Sequence, residues 1–347
     1  MEKSIRVLHL LQSDKYSGAE NVVCEIIEMF RDTELDMVYS SQDGPIKNVL
    51  DGRKIKFMPM KYISISEVRR VVREYKPDII HAHDFTASIL CALAVNCTII
   101  SHLHNNSPWI KKYGLRSLEF LASCFRYKKI LTVSESILDE YVFSDLISRK
   151  TIMVGNPINI DAIQKKALTP NSKTGNFDLI FLGRLVTAKN PIRLIKIVKV
   201  ITEKFPDIKV AVIGDGELRQ ECEKLIEELE LVNTITLLGF LENPYPILGN
   251  SKILCMTSDW EGFGLVAVEA MALGRPVVCT YAGGLKQIIN NETGMLCSSD
   301  SEFCDEIYKL LTNVTYLEMK SKNAASRAKT LDNILSYREM LKNIYLD

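Results

Sequence analysis

The sequence lacks the features that mark secreted, membrane-spanning and nucleic-acid-binding proteins. Its nine cysteines are odd in number and contain no C-x-x-C pair, which argues against a disulfide framework and a zinc ribbon. No charged leader precedes a long apolar run, and the longest nearly apolar stretch, 87–100, is too short to cross a bilayer and contains Asn96. The 43 basic and 43 acidic residues cancel, so no overall field attracts nucleic acid. We expect a cytoplasmic protein that binds no nucleic acid.

What is present is an α/β rhythm long enough for two domains. The 347 residues, 47% of them hydrophobic, exceed what one core usually serves. Short β-rich runs alternate with helical patterns in both halves, which predicts two doubly wound sheets facing a central cleft, joined by a turn-rich linker at 167–176. The predicted strands are 6–11, 55–58, 78–82, 97–101, 129–133 and 151–154, then 178–182, 209–213, 234–238, 253–256, 276–279 and a short one near Met295. The predicted helices include 19–31, 66–75, 135–141, 217–229 and 263–273.

The most informative segment follows the predicted strand 253–256. Gly262 and Gly264 precede an apolar helix, where glycines let backbone N–H groups approach a phosphate and the helix N-terminus favours an anion. Glu261 lies on this loop, and Glu269 follows about two helical turns later in an otherwise apolar helix. A carboxylate there needs a hydrogen-bond partner such as a ligand hydroxyl. On spacing alone, an ordinary strand-to-helix turn with one capping acid fits equally well.

Two further loops also follow predicted strands. Arg184 and Lys189 lie between strand 178–182 and a predicted helix, where an arginine fork and a lysine point charge together suit a diphosphate. Gly18 ends the loop after the first strand, where the backbone can come close to a ligand. Taken alone, the two cations are better explained as solvated surface residues, and a single glycine before a helix is a weak signal.

All five histidines fall in the first half of the chain. His81 and His83 end one predicted strand, and His102 and His104 end the next. Four histidines at neighbouring strand ends are compatible with zinc. The segment H-A-H-D-F lacks the further histidine of the H-x-H-x-D-H metallohydrolase pattern, and no later set of metal ligands matches it. We therefore expect no metal and a histidine positioned at the ligand site.

Taken together, the motifs resemble those of the GT-B retaining glycosyltransferases of family 4, the group 1 glycosyl transferases of polysaccharide biosynthesis. The resemblance covers nearly the whole chain and implies two Rossmann-like domains facing a central cleft. It assigns 1–160, with a last helix at 331–347 packing back on it, to acceptor binding, and 174–330 to nucleotide-sugar binding. The shared motifs are, in order, Ser17-Gly18-Ala19-Glu20, Phe181-Leu182-Gly183-Arg184 with Lys189, Gly214-Asp215-Gly216-Glu217, Leu238-Gly239-Phe240, and Glu261 with Glu269 as E-x7-E.

The resemblance also implies roles for individual residues. Arg184 and Lys189 would hold the donor diphosphate, Glu261 would contact hydroxyls of the donor sugar, and His104 would touch that sugar near the reacting centre. His102, two residues earlier, is the alternative to His104. Gly18 would border the diphosphate, the backbone amides near Gly264, Leu265 and Val266 would hold the phosphates, Phe240 would flank the nucleobase and Glu269 would bind the ribose. Gly214 and Phe263 complete the implied donor-binding residues.

The implied function is retaining transfer of a hexose or N-acetylhexosamine from a nucleotide-sugar, UDP-sugar first and GDP-mannose next, to a lipid-linked surface or exported polysaccharide. Front-face attack would let the donor phosphate take the acceptor's proton. The chain contains no D-x-D motif, so we expect no metal and no cofactor. The alternatives are a hydrolysing UDP-sugar 2-epimerase, whose acid and base carboxylates have no clear counterpart here, and a non-catalytic nucleotide-sugar-binding partner of another transferase.

Two positions depart from the family pattern. Ser17-Gly18 stands where the family usually has two glycines. After Ala282-Gly283-Gly284 the usual acidic residue is replaced within 285–288.

Segment 109–129 combines basic and aromatic residues. Its six cations face a single acid, Glu119. Such a segment suits peripheral contact with an anionic membrane that presents a lipid-linked glycan. A helix with one core face and one solvated basic face fits the same residues.

Overall fold

The computed structural model describes residues 4–170 and 175–346. The chain divides into two compact units, Met1–Pro157 with Asn333–Asp347, and Ile158–Asp332. Each unit contains one six-stranded sheet, and the prediction of two Rossmann-like α/β domains is confirmed. The division falls before the predicted linker, so residues 158–160 and 331–332 belong to the second unit and not to the first. Residues 171–174 of that linker lie outside the described residues.

The first unit is built on six parallel strands. Numbered along the chain, the strands lie in the order β2-β1-β3-β4-β5-β6. The connection after β1 leads to one side of it and the later strands lie on the other side, so the switch point is between β1 and β3. In open α/β sheets, such a switch point is where ligands bind, at the carboxyl ends of the strands. The strands are β1 (Ile5–Leu10), β2 (Leu35–Ser40), β3 (Ile79–His83), β4 (Thr98–Leu103), β5 (Tyr127–Thr132) and β6 (Thr151–Met153).

The prediction of a strand at 55–58 is wrong, and β2 was missed. The sequence Leu-Asp-Met-Val-Tyr-Ser carries Asp36 and Ser40, which weaken its strand signal, whereas 55–58 is more apolar. Tyr39 pairs with Phe57 only as an isolated bridge, through bonds from Tyr39 N to Lys56 O and from Met58 N to Tyr39 O, both 2.9 Å. Segment 55–58 therefore runs beside the edge strand without extending the sheet.

Helices cover the sheet of the first unit and explain why its strands are apolar on both faces. The apolar run 87–100 is not one element. It contains the end of a helix and the start of β4, and Asn96 lies in the connection between them. The C-terminal helix, Ile334–Leu346, belongs to this unit, where the Tyr345 hydroxyl lies 2.7 Å from His81 Nδ1. The other helices are α1 (Gly18–Met29), α2 (Ile46–Gly52), α3 (Ile65–Tyr75), α4 (Asp84–Ala94), α5 (Leu115–Ser123), α6 (Ser136–Glu140) and α7 (Ser144–Ile147), with short 3-10 turns at Pro108–Lys111, Cys124–Arg126 and Ser148–Lys150.

The second unit repeats this architecture. Its sheet has the order β12-β11-β10-β7-β8-β9, with the switch point between β7 and β10. The six predicted strands of this half are confirmed to within about two residues. They are β7 (Phe177–Leu182), β8 (Val210–Ile213), β9 (Ile235–Gly239), β10 (Ser251–Met256), β11 (Val277–Thr280) and β12 (Gly294–Cys297). The helices are α8 (Ile160–Ala167), α9 (Pro191–Thr202), α10 (Arg219–Glu228), α11 (Tyr245–Gly249), α12 (Leu265–Ala272), α13 (Leu285–Ile288), α14 (Asp300–Thr312) and α15 (Val314–Leu331), with a 3-10 turn at Thr187–Lys189.

Across the described parts of the chain, no helix is both long enough and apolar enough to span a bilayer.

Candidate functional site

A buried ion pair lies at the switch point of the second unit. Lys189 Nζ, on the loop after β7, lies 2.5 Å from Glu261 Oε1, on the loop after β10. The Glu261 side chain is 6% exposed and that of Lys189 25% exposed. Ser258 Oγ donates a 2.7 Å hydrogen bond to the same oxygen. Among the described residues, no further hydrogen bond to this carboxylate is formed, so Oε2 remains for a ligand hydroxyl.

Two glycines hold the backbone of this loop in place. Gly283 has φ +48°, and a Cβ there would overlap the carbonyl oxygen of Glu261. A Cβ on Gly284 would come within 2.7 Å of the Gly262 oxygen, which instead accepts a 2.9 Å hydrogen bond from Gly284 N. Since no side chain fits between these two backbones, the turn after β11 fixes the position from which Glu261 projects.

Helix α12 begins directly behind this loop. Gly264 caps it with φ +96°, a conformation that favours glycine, and Leu265 and Val266 form its first turn. The first N–H groups of a helix have no partner within it and carry the positive end of its dipole. Phe263, Leu265 and Val266 are all partly exposed. This helix end has the properties that a phosphate site needs, and the phosphate contact itself stays a prediction.

Glu269 lies further along the same helix. It is partly exposed, and Tyr245 OH donates a 3.1 Å hydrogen bond to its Oε1. The tyrosine orients one carboxylate oxygen, and a carboxylate accepts several hydrogen bonds. The arrangement suits a ligand with neighbouring hydroxyls.

The loops after β7 and β8 approach each other closely. Gly214 has φ +137°, and a Cβ there would overlap the carbonyl oxygen of Gly183. Gly183 N donates to Ile213 O at 3.0 Å. This close approach brings the loop of Arg184, which is exposed, beside the Gly214 turn.

The remaining predicted donor-site residues lie at the edges. Phe240 follows β9 and is 52% exposed. Gly18 is the first residue of α1 in the first unit, and a Cβ there would meet no atom within 4 Å. Open space at Gly18 is compatible with a ligand but does not itself require glycine.

The five histidines of the first unit form one compact cluster: His9, His81, His83, His102 and His104. Three neighbouring strands supply them, because His9 pairs with His81 across β1 and β3, and His83 with His102 across β3 and β4. Their ring centroids lie as close as 4.1 Å for His102 and His104. Four members are buried and His104 is partly exposed. Of the two candidates for ligand contact, His104 and not His102 therefore reaches solvent.

Hydrogen bonds link some of these rings. His83 Nε2 lies 3.0 Å from His9 Nδ1, and His83 Nδ1 lies 2.9 Å from His104 Nε2. Burial lowers the pKa of His9 and of His104 to about 3. Burial, with a smaller contribution from neighbouring histidines, also lowers the pKa values of His81, His83 and His102 well below the ordinary histidine value. These shifts favour neutral rings at physiological pH.

Two groups in this cluster have ring nitrogens within 4.8 Å of one another: His9, His81 and His83, and His83, His102 and His104. Neither group contains a carboxylate or thiolate to offset the charge of a buried cation. Several of the same nitrogens already bind each other. These contacts are those of a hydrogen-bonded histidine network, and the expectation that no metal binds stays a prediction.

The sequence did not single out three residues that support the site. Ser258 and Tyr245 bind the two glutamates, and Gly283 positions the loop of Glu261. Ser258 lies two residues after a predicted strand, so its position carried a signal. Tyr245 in Asn-Pro-Tyr-Pro carried none.

Segment 109–129 exposes both basic and apolar side chains. Tyr113, Leu115 and Phe125 are 81%, 80% and 86% exposed. Its buried side includes Phe120, whose ring lies 4.7 Å from that of Phe85. The exposed cations are Lys111, Lys112, Arg116, Arg126 and Lys128, whereas Lys129 is half-buried. Most of these cations therefore lie in the segments that flank α5, and Arg116 lies on the helix itself.

Two family models match the chain in succession. The glycosyltransferase family 4 model matches residues 16–162, and the model of the glycosyl transferases group 1 matches residues 163–329. Together they span both units.

Similar proteins agree with these matches. A glycosyltransferase of Methanocaldococcus jannaschii is 30% identical over 62% of this chain, and the match spans 58% of that protein. The UDP-Gal:alpha-D-GlcNAc-diphosphoundecaprenol alpha-1,3-galactosyltransferase of Escherichia coli is 23% identical over 99% of this chain and 97% of its own length. Anabaena HepE, solved in complex with UDP and glucose, superimposes with a TM-score of 0.85 at 20% identity, covering 98% of this chain and 99% of that one.

The two successive family models and the fold point to the same family, and the loops at the switch point of the second unit fit it. The chain belongs to the GT-B glycosyltransferases of group 1.

Proposed function

We propose that this protein is a retaining glycosyltransferase that moves a hexose or N-acetylhexosamine from a UDP-sugar to a lipid-linked polysaccharide precursor. The Lys189–Glu261 pair carries the proposal, because it sets a cation and a carboxylate beside the N-terminus of α12. HepE, of the same fold, was solved with UDP and glucose, and the similar Escherichia coli enzyme uses UDP-Gal and a diphosphoundecaprenol-linked sugar. Both support a UDP donor, and the second supports a lipid-linked acceptor.

The second unit supplies electrostatic stabilisation of the leaving nucleotide. Arg184 and Lys189 offset the charge that develops on the diphosphate as the bond from the sugar's anomeric carbon to phosphate breaks. The amides of Leu265 and Val266 bind the phosphates, and Glu269 binds the ribose hydroxyls. Glu261 accepts hydrogen bonds from the sugar hydroxyls.

The acceptor attacks from the face that the diphosphate leaves. Its hydroxyl oxygen bonds to the anomeric carbon, and its proton passes to the departing phosphate oxygen. The anomeric configuration is retained, and no protein nucleophile is needed. Because two cations and a helix terminus face the diphosphate, we propose that transfer needs no metal ion.

Nucleotide binding is expected to stabilise the second unit and to depend on Glu269. UDP should raise the thermal unfolding midpoint more than GDP or ADP, since binding to the folded state alone adds stability. Glu269→Ala should reduce that shift, because it removes the ribose contact and the partner of Tyr245. Differential scanning fluorimetry with each nucleotide measures both effects.

Glu318→Ala is the matched control, because Glu318 is an exposed glutamate on α15 of the same unit. It should keep the full UDP shift. Absence of a shift with any nucleotide in the unaltered protein would contradict a nucleotide-sugar donor.

We further propose that the surface of 109–129 contacts anionic membranes, where a lipid-linked acceptor resides. Its exposed cations attract anionic headgroups, while Tyr113, Leu115 and Phe125 enter the interface. Reversing the exposed Lys111, Lys112 and Lys128 to glutamate should abolish most co-sedimentation with vesicles rich in phosphatidylglycerol. Reversing the exposed Lys224, Lys322 and Lys329 of the second unit should not. Equal binding by the two triple variants would show that this surface does not contact the membrane.

A further inference from the structure

Three histidines of the cluster form a hydrogen-bonded series that we call the relay: His9, His83 and His104. His9 Nδ1 lies 3.0 Å from His83 Nε2, and His83 Nδ1 lies 2.9 Å from His104 Nε2. His9 is fully buried and His83 is 2% exposed, whereas His104 is partly exposed. The relay therefore runs from the core of the first unit to its surface at the end of β4.

Neutral imidazoles in such a series cannot choose their tautomers independently. A neutral ring has one N–H and one acceptor nitrogen, so each junction of the relay holds one hydrogen. Only two arrangements are possible. Either every N–H in the relay points from His9 toward His104, or every one points from His104 toward His9.

The buried end of the relay decides between the two. His9 Nε2 is buried without a hydrogen-bond partner among the described residues. If the N–H groups pointed inward, His9 would carry an unpaired N–H at that atom, and a buried donor without a partner is costly and rare. If the N–H groups point outward, His9 Nε2 is only an unpaired acceptor. In that arrangement His104 accepts at Nε2 and has its hydrogen on Nδ1.

The backbone of His104 is held by a second contact. His104 N donates a 2.8 Å hydrogen bond to Asp84 Oδ1, and Asp84 has φ +67° directly after β3. A non-glycine residue in this left-handed region is strained, and such strain concentrates at functional sites. Asp84 and His83 are adjacent in sequence, so one strand end fixes both the backbone and the ring of His104.

We propose that His83, supported by His9, is a positioning residue that fixes the tautomer of His104, so that His104 presents an Nδ1–H donor to a hydroxyl oxygen of the donor sugar. The ligand identity rests on the proposed function. The tautomer itself does not, since it follows from the relay together with the buried His9 Nε2, which has no partner among the described residues. The lowered pKa values of these histidines agree with neutral rings throughout.

The direct test is the ring ¹⁵N chemical shifts of His104 in protein labelled at histidine, because protonated and unprotonated ring nitrogens differ widely in shift. We expect His104 protonated at Nδ1 in the unaltered protein and in His83→Asn, whose amide N–H replaces His83 Nδ1–H. His83→Leu should give a mixture of tautomers. The matched control is His102→Leu, because His102 is equally buried but neither of its ring nitrogens has a partner among the described residues.

Turnover supplies a second readout. We expect His83→Leu to lower kcat/KM for the sugar donor about tenfold to a hundredfold, as for loss of one oriented hydrogen bond. His83→Asn should recover most of that loss, and His102→Leu should lose less than His83→Leu.

A His104 protonated at Nε2, or equal losses in His83→Leu and His102→Leu, would overturn the proposal. So would a stoichiometric metal ion bound to the purified protein through these rings, since it would take the nitrogens that the relay uses. Failure of the unaltered protein to transfer any sugar would count against the proposed function, whereas the ¹⁵N shifts would still decide the relay.

Discussion

Replacing Lys189 by methionine is expected to lower both turnover and stability, and adding Glu261→Gln is expected to restore stability alone. Lys189→Met leaves the buried Glu261 carboxylate without its cation, which costs about 3 to 5 kcal/mol of unfolding free energy. Loss of a preorganised charge beside the leaving diphosphate should lower kcat about a hundredfold or more. In the double variant Lys189→Met with Glu261→Gln, no unpaired charge is buried, so stability recovers. Turnover stays low, because neither the lysine nor the carboxylate remains to act on the donor. Urea unfolding followed by Trp260 fluorescence in protein that also carries Trp109→Phe, together with donor turnover, measures the two effects separately.

The matched control for this experiment is Lys252→Met. Lys252 forms an ion pair with Asp178 at 2.8 Å in the same unit, but its side chain is 48% exposed. We expect little change in turnover and a smaller loss of stability than in Lys189→Met, because Lys252 is more exposed than Lys189 and Asp178 more exposed than Glu261. If Lys189→Met lost stability but kept its turnover, Lys189 would be only a structural partner of Glu261.

Acid is expected to destabilise the first unit well before it affects the second. Above the ordinary histidine pKa of 6.5, folded and unfolded states are both neutral, so stability does not change with pH. Below it, an unfolded histidine takes up a proton, while His9 stays neutral when folded down to its pKa of about 3. Stability is therefore lost as pH falls from 6.5 towards 3. At pH 5, linkage gives a loss of about 2 kcal/mol for His9 alone.

The other buried histidines add to this loss, because their pKa values are lowered in the same direction. All five histidines belong to the first unit, so the second serves as the internal control. Each unit contains one tryptophan that can report on its unfolding, Trp109 in the first and Trp260 in the second. Urea unfolding at pH 7.5 and pH 5, in Trp260→Phe and in Trp109→Phe, should show the loss through Trp109 only. Equal stability of the first unit at both values would contradict a neutral buried cluster.

The strands of the second unit were predictable because each is a short apolar run between turn formers. β7 and β10 lie at the centre of a parallel sheet with helices on both faces, where sequences stay apolar at every position. β2 was not predicted, because it is an edge strand with Asp36 inside it and the neighbouring segment 55–58 is more apolar.

The site was predictable as a set of loops but not as a set of contacts. Strand order places the loops after β7 and β10 together, and the sequence identified both. That Lys189 meets Glu261, 72 positions away, depends on side-chain directions that spacing does not encode. His9 was not singled out because it lies inside β1, and only the register with β3 brings it to His81 and His83. The roles assigned to these residues in binding a donor remain predictions.

The most direct test of a retaining UDP-sugar transferase is the product formed from each UDP-hexose and UDP-N-acetylhexosamine with polyprenyl-diphosphate-linked saccharides, in buffer containing EDTA. We expect one donor to be consumed, its sugar to appear on the lipid-linked acceptor, and proton NMR of the product to show the anomeric configuration of the donor. A linkage of opposite configuration, dependence on a metal ion, or release of free or epimerised sugar without transfer would contradict it.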